Sequence, residues 1–235
     1  MQRQQKFSAH EKMSDLINED LSLLLVISRF GLSLGFGDKT VKEVCEASGI
    51  DCNTFLAVVN FLSEGNFEVD NVYDNISIVS VIDYLKNSHT YFLNFKLPAI
   101  RNKLLEAVNA SGQDIPYGVI FTKFFDEYVA EVRKHMEYED KIVFPYVLHL
   151  LKGQKDPKYS ISVFQERHNE IESKLIELKN ILIKYYPSKG SNHLLTEVLF
   201  DILSCEIDLA SHNKVEDYFF IPAIEVIERT NTPAQ

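Results

Sequence analysis

The sequence predicts an all-α protein, an antiparallel four-helix bundle preceded by a small helical N-terminal domain. Three observations point to it. Beyond about residue 80, apolar residues recur at helical spacing over long segments. Short breaks at 111–116 (SGQDIP), 153–157 (GQKDP) and 187–190 (PSKG) separate those segments, and short loops between long helices imply antiparallel neighbours. Before residue 80 the periodic segments are brief and interrupted by glycine. The expected division is therefore a helical domain over 1–80 and a bundle over 81–235.

In the N-terminal part, Leu16, Leu23, Leu24, Ile27 and Phe30 predict one first helix, closed by the glycine-rich stretch 31–39 (GLSLGFGDK). Thr40 is placed to cap a helix over 41–47, with Gly49 ending it, and Asn53 or Thr54 to start another that runs to about Glu64. The polar stretch 65–75 (GNFEVDNVYDN) is expected to be a linker or a short extended segment. Four long helices follow, at about 82–109, 116–151, 158–186 and 191–229. Pro145 and Pro222 fall inside the second and fourth. A proline lacks the N–H donor and clashes one turn back, so both helices are expected to kink or end there.

At 235 residues with 46% hydrophobic content, the chain can build one large or two small buried cores. No apolar run approaches the roughly 20 residues that span a bilayer; the nearest, 21–33, is short and carries Arg29. The first twelve residues (MQRQQKFSAHEK) are polar and do not resemble a secretion signal, so the expected compartment is the cytoplasm. Cys45, Cys52 and Cys205 are too few and too scattered for a disulfide framework or a thiolate zinc site, and are expected as reduced, mostly buried thiols. The net charge is −10. An acidic surface repels phosphate backbones, which argues against nucleic acid as a partner.

Two segments carry the chemistry. Residues 135–145 (HMEYEDKIVFP) and 212–222 (HNKVEDYFFIP) both obey H-x3-E-x5-P, with an aspartate after each glutamate. Spacing i, i+4 stacks imidazole and carboxylate on one helix face, about 6 Å apart along the axis. The spacing alone is a weak signal, because His168/Glu172 and His193/Glu197 share it and some such pairs must be ordinary surface contacts. The wider arrangement is more telling. His89 lies among Ile82, Leu85, Phe92 and Leu93, and His168 among Phe164, Ile171 and Leu175, each alone on an apolar face of the preceding helix. The two lone histidines are 79 residues apart and the two motif histidines 77 apart, which looks like a duplicated helical hairpin. Each copy then donates two histidines and one glutamate.

Burying six such groups without a metal would require a dense hydrogen-bond network, costly wherever incomplete. His89, His135, Glu139, His168, His212 and Glu216 are therefore the expected metal ligands. Imidazole with bridging carboxylate suits two iron ions, and manganese or zinc less well; the lack of thiolates argues against copper(I) or iron–sulfur clusters. Tyr128 and Glu131 before His135, and Cys205 and Asp208 before His212, can line the pocket or serve as packing and surface residues.

On these residues the chain resembles the hemerythrin-like domains over roughly 82–227 and, more narrowly, the repair-of-iron-centres family of di-iron proteins. The matching motifs are His89 followed by Leu97-Pro98, His135 and Glu139 with Phe144-Pro145, Glu166-Arg167-His168, and His212 and Glu216 with Ile221-Pro222. The resemblance implies four histidines and two bridging glutamates holding two oxo- and carboxylate-bridged irons. It also implies a role in recovery of iron–sulfur enzymes after nitrosative and oxidative stress. The N-terminal segment is similar to the small domain of that family at Phe30-Gly31-Leu32, at 40–45 and at 49–51. It departs at 34–37 (LGFG), where the family commonly carries adjacent cysteines.

Three readings follow. The first is a di-iron stress protein that binds oxygen, nitric oxide or peroxide and assists cluster repair, with iron–sulfur proteins as partners. The second is a sensor in which gas binding changes a partner or homodimer interface. For that reading, residues 40–62 have the rhythm of a helix-turn-helix, but 51–64 holds no Lys or Arg, which a recognition helix needs. The third, a hydrolase, lacks H-E-x-x-H, G-x-S-x-G and any phosphate-binding glycine loop.

Overall fold

The computed structural model describes residues 6–64, 76–110, 115–154, 158–165, 172–185 and 192–230. The described residues are helical and contain no strand beyond one isolated bridge between Lys12 and Thr40. Contacts divide the chain into two compact units, Met1–Ser88 with Val215–Val226 and His89–Lys214 with Ile227–Gln235.

The first unit opens with α1 (Met13–Glu19) and α2 (Leu23–Arg29). Apolar periodicity runs through both, yet one helix over 16–30 does not form. The Asp20 carboxylate accepts from the Ser22 amide at 3.0 Å and its hydroxyl at 2.6 Å, a local turn that competes with the helical ladder. Next comes α3 (Val41–Ser48), capped as the sequence predicts: the Glu43 amide donates to Thr40 Oγ1 at 3.3 Å, and the Thr40 amide donates to Glu43 Oε2 at 2.8 Å. Gly49 ends it at φ +69, a conformation that costs glycine little.

Helix α4 (Cys52–Glu64) starts one residue ahead of expectation, because Asp51 accepts from the Thr54 amide at 2.7 Å and from its hydroxyl. The segment 65–75 lies outside the described residues. Phe30 packs on Phe55 and Tyr84 at centroid distances of 5.2 and 5.0 Å, and Phe61 on Phe219 at 4.9 Å. Each such buried ring contributes about 1.5–3 kcal/mol. Buried Asn60 accepts from the Phe7 amide and donates to the Phe7 carbonyl, which holds the start of the described chain against α4.

Beyond residue 76 the first, second and fourth expected segments become compound helices, each interrupted by one π turn, and the third is described only over its two ends. Chain order gives α5 (Ile78–Tyr91), α6 (Leu97–Ala110), α7 (Ile115–Tyr138), α8 (Phe144–Leu150), α9 (Ile161–Gln165), α10 (Glu172–Tyr185), α11 (Asn192–Val215) and α12 (Ile221–Thr230). Neighbours are tied by Arg101–Asp126 between α6 and α7 at 2.6 Å, Lys103–Asp201 between α6 and α11 at 2.6 Å, and Lys179–Glu206 between α10 and α11 at 2.7 Å. The core runs through Leu97, Ile100, Leu104, Phe121, Phe125, Tyr128, Val132, Leu178, Leu182, Val198, Ile202 and Cys205. A Cβ on Gly118 would lie 2.2 Å from Val108 Cγ1, so α6 and α7 are close-packed there.

The prolines do not end their helices. Each is preceded by one π-helical turn: Phe92–Lys96 before Leu97-Pro98, Glu139–Val143 before Phe144-Pro145, and Glu216–Phe220 before Ile221-Pro222. In each turn the residue before proline donates five residues back, to Phe92, Glu139 or Glu216. A wider turn relieves the clash of the proline ring with the preceding carbonyls, so the helix continues.

Candidate metal centre

The site is assembled from three helix stretches whose geometry the π turns set. His89 lies on the last turn of α5, one turn before the first π segment. His135 and His212 lie near the ends of α7 and α11. Glu139 and Glu216 are the first residues of the two π turns that follow them. His89 and His212 are 1% exposed, and Glu139 and Glu216 are 0% exposed.

His89, Glu139 and His212 each offer a ligand atom, and these atoms lie within 4.8 Å of one another. Glu139 also meets His135: its Oε1 is 2.9 Å from His135 Nε2, while its Oε2 is 3.1 Å from His89 Nε2. Glu139 therefore stands between two imidazoles, one per oxygen. Neither approach has hydrogen-bond geometry, although both oxygens are buried. A fully buried carboxylate in that state is costly unless a cation sits nearby. Lone pairs of ring nitrogens and carboxylate oxygens that crowd without bonding one another fit a donor set aimed at metal, and the mixture of imidazole and carboxylate suits iron or zinc chemistry.

Asp140, which sequence reasoning did not assign, holds His89 from the other side. His89 Nδ1 is 3.0 Å from Asp140 Oδ1. A carboxylate accepts, so Nδ1–H donates, and Nε2 is left with its lone pair facing Glu139. An outer carboxylate in this position is what fixes the tautomer and orientation of a histidine that is to ligate a metal. The only sequence signal for it is the Glu-Asp pair at 139–140, repeated at 216–217. Aromatic rings complete the surroundings: His89 stacks on Phe144 at 5.6 Å and 17°, His135 on Phe164 at 6.1 Å and 22°, and Phe92 meets the edge of His212 at 6.0 Å.

His168 lies outside the described residues, as does its neighbour Glu166. His135 is half-buried, with 13% of its side chain exposed. Among the candidate lining residues, Tyr128 and Cys205 belong to the apolar core, Asp208 is buried one turn before His212, and Glu131 is exposed. His193 and Glu197 are both exposed.

Within the first unit, burial first and then the neighbouring Cys52 thiol push the pKa of the Cys45 thiol up to about 12. A thiol this reluctant to ionise is a poor nucleophile and a poor metal ligand at neutral pH. No described helix is long and apolar enough to cross a membrane.

Residues 80–224, more than half of the chain, match the family model described as hemerythrin HHE cation binding domain. A comparison with curated proteins finds no significant match.

Proposed function

The chain belongs to the hemerythrin HHE cation-binding family, and from that premise we propose that its buried His/Glu group holds two iron ions. The ligand set of this reading is His89, His135, Glu139, His168, His212 and Glu216. The observation that supports it best is Glu139, buried to 0% and flanked by two imidazole nitrogens at 2.9 and 3.1 Å. Iron bound there would supply an open position for oxygen, nitric oxide or peroxide. Around it the chain's own groups have definite tasks. Glu139 and Glu216 would be the carboxylates that hold the iron, Asp140 keeps His89 in the ligating tautomer, and Phe92, Phe144 and Phe164 exclude water.

The finer reading is a cytoplasmic non-haem di-iron protein of the nitrosative and oxidative stress response that assists recovery of damaged iron–sulfur clusters. The motif set shared with the repair-of-iron-centres proteins supports it. The domain division goes with it: a helical domain over 1–80 and the bundle over 81–235, in line with a family match that begins at residue 80. A sensor is the second reading, favoured by the sequence at 34–37, where Leu, Gly, Phe and Gly stand in place of adjacent cysteines.

The test has two parts. Aerobically purified and iron-reconstituted protein is expected to bind about two iron ions per chain with a bridged di-iron absorption spectrum. Fewer than about one per chain, unchanged by His89→Ala and His212→Ala, sinks the di-iron reading. Incubation with a nitric-oxide-damaged iron–sulfur enzyme then separates the roles. Recovered activity supports repair, and no recovery together with a gas-dependent change in oligomeric state supports sensing.

A further inference from the structure

Helix α11 is apolar on two opposite faces. Its inner face places Val198, Ile202, Cys205 and Leu209 in the bundle core. Its outer face carries a second stripe, in which Phe200 is 69%, Leu203 40% and Ile207 67% exposed. Thr196 and Lys214 are exposed and Ala210 is half-buried along the same line. The steps from 196 to 214 alternate four and three residues, the period of a coiled-coil seam. A bundle helix that needs only one apolar face does not require the second.

We propose that this outer face of α11 is a self-association surface, on which a second copy of the chain packs its own α11 in antiparallel orientation. The stripe is self-complementary about a two-fold axis near residue 205. Antiparallel pairing about that point sets Leu203 opposite Ile207, bulky Phe200 opposite small Ala210, and Lys214 beside Glu197 of the second copy. Every apolar contact then occurs twice, as an isologous interface demands. Ser204 and Ser211 donate their hydroxyls back to the carbonyls of Phe200 and Ile207, at 2.8 and 3.0 Å. They therefore present small side chains whose polar atoms are already satisfied within the helix. Parallel pairing fares worse, because it sets Phe200 against Phe200 and Lys214 against Lys214. Charge and size both select the antiparallel arrangement.

The stripe from 196 to 214 is about 27 Å long at 1.5 Å per residue, which supports a reversible dimer. The experiment is sedimentation equilibrium of the full iron-reconstituted chain. A dimer is expected, and Phe200→Glu or Ile207→Glu is expected to raise its dissociation constant at least about tenfold, by placing charge in the centre of the seam. Far-UV circular dichroism and iron content are expected to stay unchanged, since both positions are solvent-facing in the monomer. Lys214→Glu and Glu197→Lys should each weaken the dimer, and the combined reversal should restore it. A wild-type chain that is monomeric at about 100 μM, a concentration that would reveal any dimer of micromolar affinity, overturns the proposal. So does a dimer indifferent to both Phe200→Glu and Ile207→Glu, and a combined reversal that fails to restore association overturns the antiparallel register.

Discussion

His135–Glu139 and His193–Glu197 have the same spacing and contrasting surroundings. In the first pair the glutamate is fully buried, sits 2.9 Å from its histidine and has a second imidazole at 3.1 Å. In the second both residues face solvent, and Glu197 lies 3.9 Å from Lys103 with 62% of its side chain exposed. Spacing i, i+4 puts two groups on one helix face; it does not say what that face meets. Two things separate the pairs. The face carrying His135 points into the bundle, and Glu139 opens a π turn imposed by Pro145, whereas no proline follows His193 at the same distance.

The largest expected effect breaks this contrast outright. Glu139→Ala removes the carboxylate that stands between His89 and His135 and should abolish stoichiometric iron binding, whereas Glu197→Ala should leave it intact. Iron content per chain after reconstitution measures both, and equal iron in the two variants would remove Glu139 from the ligand set. A smaller loss is expected one residue further on. Asp140→Asn keeps the size of the side chain but replaces the carboxylate that orients His89, so metal affinity should fall roughly 10–100-fold. Competition with a chelator of known affinity reads the change, and an unaltered affinity would mean that His89 needs no such support.

The smallest effect lies on the solvent side, one turn beyond Glu197. Asp201 is partly buried, which raises its pKa, but hydrogen bonds from Lys103 and Lys96 more than offset this and hold the carboxyl below its usual range. A depressed carboxyl contributes stability above its unfolded pKa and loses it as pH falls through the folded value. Asp201→Asn should thus cost about 1 kcal/mol near neutrality, discounted for solvent screening, and less in acid. Urea unfolding at neutral and acidic pH checks the sign, and iron content should not change.

Much of the fold was legible because apolar residues keep helical period over long segments beyond residue 80; the predicted breaks at 111–116, 153–157 and 187–190 lie largely outside the described residues. The break between α1 and α2 was not, since Leu16, Leu23, Ile27 and Phe30 keep helical period across it while Asp20 turns the backbone locally. The prolines were visible but their consequence was not. Pattern shows that Pro145 and Pro222 disturb a helix, and only backbone geometry shows that a wider turn absorbs the disturbance. In the site, His89, Glu139, His212 and Glu216 stood out by duplication and apolar context. Asp140 did not, because its role depends on which nitrogen of His89 it reaches. The contact between Cys45 and Cys52 was equally hidden, since the turn at Gly49 that joins α3 to α4 decides it.

Each π turn also shifts the helical phase. Across them the buried face advances by five residues, from Phe92 to Leu97, from Glu139 to Phe144 and from Glu216 to Ile221, and all six residues are at most 1% exposed. In an α-helix a step of five would swing a side chain about 140° away from its starting face. The turn therefore acts as a local insertion of one residue that leaves the core-facing register downstream unchanged. It follows that residue-for-residue alignment of these helices with uninterrupted ones slips by one position at the glutamates, and that a gap placed within 139–143 or 216–220 restores the correspondence of everything beyond.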